Sequence, residues 1–399
     1  MKERLKIKDI SFFKTYCRVD KNRLEKLGGF MEQLKCIGCG ANIQTDNPKE
    51  IGYTPASSLK NIEEKVIYCQ RCFKLKHYNE VQDVSLTSDD FLKILQRVGE
   101  TNALVINIVD IFDFSGSTVT GITRHIGGND ILIVGNKVDL LPKSANKMKL
   151  NHWMRRSLKE IGIKPLDVAL VSADKGLGID ELMEMIEKYR KGRDVYIVGC
   201  TNVGKSTLVN RIIKRFTEEK DDIITTSHFP GTTLDIIEIP LDDRSSIIDT
   251  PGIINEHQLA HYVTPKVLKE ITPKKEIKAG GYQLNSEQTL FIGGLARMDF
   301  VKGERTSFIT HFSNQLNIHR TKLEKADNLW ETQAGQLLSP IALEDEKPRV
   351  MEKHSYRIGH EKTDVVISGL GWFTLIGTGQ ELHVYAPKGV GVFVRPSLI

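Results

Sequence analysis

The sequence predicts an α/β protein built on a mostly parallel sheet, with a four-cysteine module before it and a small α+β domain after it. Three observations predict this. The stretch Gly199-Cys-Thr-Asn-Val-Gly-Lys-Ser206 fits the pattern G-x-x-x-x-G-K-[ST] without a mismatch, and lies between a β-rich run, Asp194–Val198, and a run of helical spacing, Thr207–Ile213. Strand-like and helix-like runs alternate from residue 103 to residue 250, as in a parallel sheet covered on both faces. Two CxxC pairs precede that alternation. The expected division is a basic extension (1–30), a metal module (31–85), a phosphate-loop domain (86–262) and a C-terminal α+β domain (263–399).

An apolar fraction of 40% and a charged fraction of 27% suit a folded globular chain. No run approaches the roughly 18 apolar residues of a membrane span, so no membrane partner is expected. A net charge of +5 permits contact with nucleic acid without requiring it, and no DNA partner is expected. Residues 1–30 hold nine Lys/Arg against four acids, a surplus equal to that of the whole chain. The segment lacks the apolar core of a secretory signal and is too acidic for a transit peptide, so a cytoplasmic location is expected. It reads equally well as an RNA-touching arm or a frayed extension.

Of six cysteines, four form the pairs Cys36-Ile-Gly-Cys39 and Cys69-Gln-Arg-Cys72. Without an export signal this is metal usage and not a disulfide framework. Four thiolates suit Zn²⁺ in a closed structural site. A redox dithiol is the alternative, and two matched pairs argue against it. Arg71, Lys74, Lys76, His77 and Tyr78 form a basic-aromatic cluster that reads as an RNA-stacking surface or as a solvated face.

The next elements follow in order: a helix over 88–98 capped by Ser88, a strand over 103–109 ending at Asp110, and a strand over 131–134. A helix over 145–161, a strand over 168–171 and a helix over 180–190 lead to the phosphate-loop strand. Strands over 232–240 and 246–248 follow it. Within the loop, Gly199 and Gly204 let successive N–H groups turn toward phosphate oxygens, with Asn202, Val203 and Thr207 completing the cradle. Lys205 reaches the β- and γ-phosphates and Ser206 is the expected Mg²⁺ ligand.

Asn136-Lys137-Val138-Asp139 resembles the base-reading NKxD motif. A carboxylate at Asp139 accepts two hydrogen bonds from guanine, whereas adenine would leave it unpaired. The Lys137 stem lies over the base, and Asn136 ties the loops together. Ser172-Ala173 resembles the loop whose N–H meets the guanine oxygen. Asp249-Thr250-Pro251-Gly252 resembles the DxxG switch, and Pro230-Gly231-Thr232-Thr233 the first switch, with Thr233, or Thr232 in second place, completing the Mg²⁺ shell. GTP and GDP are therefore the expected ligands, and Lys205, Thr233, Asp249 and Gly252 the expected catalytic set. The order is permuted: the base-reading motifs precede the phosphate loop and the switches come last. Chain ends can move this way while the sheet is kept.

Permuted motif order, a four-cysteine segment and a C-terminal domain of this size resemble the YqeH family of bacterial ribosome-assembly GTPases, over about residues 31–399. The resemblance implies a P-loop GTPase that assists maturation of the small ribosomal subunit, with contacts to rRNA or ribosomal proteins from both flanking domains. An alternative is a guanine-nucleotide-sensing RNA-binding module with incidental hydrolysis. A metabolic phosphotransferase would need a pocket with its own acid or base, and none is visible.

Many GTPases place a Gln after DxxG to orient the attacking water. Here Ile253 stands there, so slow intrinsic hydrolysis is expected. Asn202 matches the Asn that holds K⁺ in potassium-activated GTPases, which makes K⁺ a further expected cofactor; the plainer reading is that Asn202 braces the loop. In the C-terminal third, a helix from Thr264 and strands over 290–295, 308–311, 365–376, 382–385 and 391–394 are expected. Most of its histidines (311, 319, 354, 360, 383) are expected on the surface.

Overall fold

The computed structural model describes residues 36, 41–48, 50, 52–59, 67–70, 73, 85–86, 88–119, 121–219, 225–228 and 235–399. Seven strands form the central sheet: β1 (Leu104–Asp110), β2 (Asp130–Asn136), β3 (Asp167–Leu170), β4 (Val195–Gly199), β5 (Thr225–His228), β6 (Asp235–Pro240) and β7 (Ser246–Asp249). Their spatial order is β3-β2-β1-β4-β7-β6-β5. The first four neighbouring pairs are parallel, and β7–β6 and β6–β5 are antiparallel. β1 is buried at every position, which is why it reads as an apolar run broken only by Asn107 before it ends at Asp110. The chain moves outward from β1 to β3, then returns to lay β4 on the other side of β1. That reversal opens a crevice at the carboxyl ends of the strands. Asp110, Asn136, Gly199 and Asp249 are the last residues of their strands and meet there.

The helices are α1 (Ser88–Gly99), α2 (Phe114–Ser117), α3 (Ile122–His125), α4 (Lys147–Glu160), α5 (Ile179–Arg190) and α6 (Lys205–Glu219). α4 starts at its cap: the Asn146 carboxamide accepts from the N–H groups of Met148 and Lys149. α5 carries acids in its first turn and bases in its last, matching the helix dipole.

The C-terminal region departs from the α+β expectation. After α7 (Pro265–Ile271) come a short hairpin, Leu343–Glu344 with Lys347–Pro348, and ten strands in two five-stranded antiparallel sheets, with only one further α-helix, α8 (Leu323–Gln333). These are β8 (Gly280–Leu284), β9 (Gln288–Ile292), β10 (Ala296–Lys302), β11 (Thr306–Phe312), β12 (Ile318–Lys322), β13 (Met351–Arg357), β14 (Lys362–Ile367), β15 (Gly371–Ile376), β16 (Glu381–Pro387) and β17 (Val392–Pro396). One sheet runs β8-β11-β15-β14-β17 and the other β12-β9-β10-β16-β13. Charge obscures two of the unpredicted strands, although Ala296, Met298 and Phe300 keep an alternating apolar face in β10. β10 buries a charged pair, Arg297 and Asp299, and β13 is an edge strand with four exposed residues.

This region packs onto the nucleotide domain. Val366, Trp372 and Leu398 join the core formed by β1, β2 and β4. Trp372 meets Phe112 at 5.2 Å between ring centroids, and Trp153 meets Phe114 at 5.1 Å while its indole N–H donates to Pro396 O at 3.0 Å. Such aromatic pairs contribute about 1 kcal/mol each beyond the area they bury. The Arg395 guanidinium lies between the Trp153 and Trp372 rings, 5.0 and 5.5 Å from their centroids. His311 is not a surface residue. It is buried and stacked on Trp372 at 4.7 Å, and burial pushes its pKa down to about 4, so it is neutral. No helix among the described residues is long and apolar enough to cross a membrane.

Candidate functional site

Asn136 uses its whole carboxamide. Its Nδ2 donates to Val203 O in the phosphate loop at 2.8 Å, and its Oδ1 accepts from the Ala173 N–H at 2.9 Å. One side chain thus joins three loops distant in sequence. Lys137, in the left-handed region at φ 67°, sends Nζ to Asp110 Oδ2 and to Asn202 O, both at 2.5 Å. Asp139 sits in a short 3₁₀ turn, Val138–Leu140, and lines a cavity of about 390 Å³ with Asn136, Lys137, Ala173, Gly204 and Thr207. Ser172 is buried, and its hydroxyl accepts from the Lys175 N–H at 3.1 Å, which shapes the loop that offers the Ala173 N–H.

The two loop glycines serve different ends. Gly204 has φ +85°, and a Cβ there would stand 2.5 Å from Asn136 Nδ2. A Cβ on Gly199 would stand 2.8 Å from Ile108 O, so that glycine is needed for packing against β1 and not for a positive φ. Asn202 is left-handed at φ 64°, and Lys137 holds its backbone carbonyl. Cys200 is buried, and burial pushes its thiol up to about 12, so it is inert.

Lys205 Nζ and Asp249 Oδ1 form an ion pair at 2.6 Å with both side chains almost wholly buried. A phosphate entering the cradle would give Lys205 another anion, and a cation beside the buried Ser206 would give Asp249 another counter-charge. The pair can therefore be exchanged for ligand without stranding either charge. Ser206 and Asp249 are hard oxygen donors and fit Mg²⁺. Thr250 Oγ1 donates to Ile197 O at 2.9 Å, and a Cβ on Gly252 would lie 3.4 Å from Thr201. Ile253 O accepts from the Thr201 N–H at 2.7 Å, so this residue ties the switch to the phosphate loop through its backbone. Pro230, Gly231, Thr232 and Thr233 lie outside the described residues.

In the cysteine module, Cys36 and Cys69 are both buried, and the Cys69 N–H donates to Cys36 Sγ at 3.1 Å. The backbone of the second CxxC pair thus reaches the sulfur of the first, and an N–H donor on sulfur fits a thiolate metal site. Cys39, Cys72, residues 1–30 and the cluster 71, 74 and 76–78 lie outside the described residues. Among the described residues no group of three or more His, Cys, Asp or Glu side chains converges.

Sequence reasoning passed over the turn after β1. Asp110 accepts from the Phe112 N–H at 2.9 Å and holds Lys137. Asp113 is buried and accepts from Gln258 Nε2 at 2.9 Å and from Ser368 Oγ at 3.4 Å. Burial, then the neighbouring charge of Asp110, raise its pKa to about 7. Asn255 Nδ2 donates to Gly116 O at 2.6 Å, and the Leu259 N–H donates to Ser368 O at 3.0 Å. The chain leaving Asp249–Gly252 is thus strapped to this turn and to the C-terminal sheets. An acid ending a buried strand, with a second acid three residues on, was the available signal.

A family model described as "50S ribosome-binding GTPase" matches residues 194–277, and one described as "YqeH-like, C-terminal" matches residues 305–398. With the parallel sheet and the permuted motif set, this defines a circularly permuted α/β GTPase of the P-loop class. YqeH of Bacillus subtilis (strain 168) is 59% identical over 371 residues, covering 92% of this chain and 100% of that protein. The chain belongs to the YqeH family. More distant relatives include "Putative nitric oxide synthase" of Oryza sativa subsp. japonica, 29% identical over 91% of this chain and 77% of that protein, and "NO-associated protein 1, chloroplastic/mitochondrial" of Arabidopsis thaliana, 28% identical over 91% and 76%.

Proposed function

We propose that this protein is a GTP-hydrolysing switch that assists assembly of the small ribosomal subunit. The observation that carries the nucleotide reading is the double engagement of Asn136, which places the Asp139 cavity beside the phosphate loop. Asp139 reads the guanine edge, the Ala173 N–H would pass from Asn136 Oδ1 to the guanine oxygen when the base binds, and the loop from Gly199 to Thr207 cradles the phosphates. Lys205 neutralises developing charge, and the Gly252 N–H approaches the γ-phosphate. Ser206 and Thr233 would hold Mg²⁺, which supplies charge neutralisation when bound. Cys36, Cys39, Cys69 and Cys72 would hold a structural Zn²⁺. The apolar Ile253 leaves the attacking water unoriented, so intrinsic turnover is slow. Asn202 is the residue through which K⁺ would act.

The ribosomal role rests on family membership, and the small subunit is the finer choice within it. Two measurements test the proposal. Asp139→Asn should lose its preference for GTP over ATP, and retention of that preference would sink the nucleotide reading. The full chain should cosediment with purified 30S subunits in one nucleotide state more than the other, and 30S subunits should accelerate turnover. Binding to 50S subunits alone would overturn the small-subunit assignment, and binding without acceleration would favour a sensor with incidental hydrolysis. Equal turnover in KCl and NaCl at matched ionic strength would remove the role of K⁺.

A further inference from the structure

The cavity beside Asp139 has a wall that no nucleotide motif supplies. Across from Asn136, Lys137 and Asp139 it is lined by Thr272, Pro273 and Lys274, which follow α7. This short strap is pinned to both halves of the molecule. On the nucleotide side, the Ile277 N–H donates to Leu140 O at 2.9 Å, one residue from Asp139, and Glu276 Oε1 accepts from the Lys143 N–H at 2.8 Å. On the C-terminal side, Asn314, in the turn between β11 and β12, donates Nδ2 to Glu276 O at 2.9 Å and accepts at Oδ1 from the Lys278 N–H at 2.8 Å. Ser313 Oγ donates to Glu270 O at 2.6 Å. Ile271 is buried in the C-terminal core and Ile277 in the nucleotide-domain core, so the three lining residues bridge the two.

We propose that Thr272, Pro273 and Lys274 are binding residues of the guanine pocket, held in place by the C-terminal domain through Asn314, so that this domain governs how long nucleotide stays bound. The inference rests on the reading of the cavity as the base site. Its chemistry is complementary to the opposite wall. Asp139 supplies a carboxylate, whereas the strap supplies a ring of fixed φ and an exposed cation on an apolar stem. A bound base would be held between the two walls. A shift of the β11–β12 turn would move one wall and not the other, which changes nucleotide affinity without touching the recognition edge.

The test is release of fluorescent N-methylanthraniloyl-GDP from the full-length protein, followed by stopped flow. Lys274→Ala and Pro273→Gly should each speed release about five- to tenfold with guanine preference over adenine retained. Asn314→Ala, a positioning change, should speed release about threefold, and should add nothing to Pro273→Gly because both act through one wall. Release within about twofold of the parent for both Lys274→Ala and Pro273→Gly would overturn the proposal, and additive effects of Asn314→Ala and Pro273→Gly would overturn the part played by the C-terminal domain. Lys274 is exposed, so its truncation leaves the fold intact. A parent protein that GDP and ADP displace equally well would sink the base-site reading itself, and this inference with it. An intact preference with unchanged release would sink the strap alone.

Discussion

In the nucleotide domain the buried charges of the candidate site stand at the carboxyl edge of the sheet, whereas buried Arg190 ends α5 and pairs with Glu187 and Asp242. Asp110 closes β1, Asp249 closes β7 and Lys205 opens α6, one loop beyond β4. In the C-terminal domain they stand within strands: Arg297 and Asp299 in β10, Asp364 in β14 and Arg395 in β17. The partners differ accordingly. Asp299 accepts from Arg297 Nε at 2.7 Å, Arg297 Nη2 at 2.8 Å and Thr289 Oγ1 at 2.6 Å. Asp364 accepts from Thr374 Oγ1 at 2.6 Å and the Leu398 N–H at 2.9 Å. Those bonds saturate the carboxylates and lock neighbouring strands. The Lys205–Asp249 pair instead faces a crevice and can trade partners. Burial and pairing alone therefore do not mark a functional charge; position relative to the carboxyl edge of a parallel sheet does.

The sharpest way to break this contrast is to remove one charge from each kind of pair. Lys205→Ala should lower GTP turnover by about a hundredfold or more, measured as phosphate release, and should also lower stability in the absence of nucleotide because it strands the buried Asp249 carboxylate. Asp299→Ala should cost stability alone. It leaves the buried Arg297 guanidinium with only the exposed Asp327 as a partner and should cost about 2 to 3 kcal/mol, read from urea titration, while folded molecules keep their GDP affinity. If Asp299→Ala were as stable as the parent, the claim that mid-strand charges are structural would fail.

The seam between the regions gives a smaller effect. A Cβ on Gly116 would stand 2.0 Å from Ser368 Oγ and 2.4 Å from Asp113 Oδ2. Gly116→Ala should therefore cost about 1 to 3 kcal/mol through overpacking. A change within about 0.5 kcal/mol would show that the seam is loosely packed.

The smallest expected effect is a pair of opposing pH slopes across the same seam. Asp113 has its pKa raised to about 7, so the folded state holds a proton that the unfolded chain has released. Its contribution is complete below about pH 4 and is lost as pH rises toward 7. His311 has its pKa lowered to about 4, so its contribution is complete above the ordinary value of 6.5 and is lost as pH falls toward 4. Between about pH 4 and 6.5 the two partly cancel. Asp113→Asn should make stability rise more steeply with pH in that window, and His311→Gln should make it fall more steeply. Parallel profiles for parent and both variants would remove the assignment.

Much of the nucleotide domain is legible in sequence because its parts are local. The loop from Gly199 to Ser206 is one contiguous turn whose backbone approach demands its own glycine at 204. The strand β1 announces itself because both of its faces are covered. The C-terminal sheets resist reading for the converse reason. In β10 Arg297 and Asp299 alternate with Ala296, Met298 and Phe300 and so read as a solvent face; they are buried because they pair with each other and with Thr289 and Asp327 from other elements. β13 carries its partners on one edge and solvent on the other, so nothing in Met351–Arg357 announces a strand.

By itself the sequence determined the phosphate loop, the motif order and the parallel character of the central sheet, because each depends on residues adjacent along the chain or on a period of burial. Tertiary structure alone decided the rest. It set Asn136 against Val203, Lys137 against Asp110, Asp113 against Gln258 and Ser368, and Thr272–Lys274 across from Asp139. These pairings join residues from 27 to 255 positions apart, and only the closing of the sheet and the docking of the second domain bring them within hydrogen-bond or van der Waals reach.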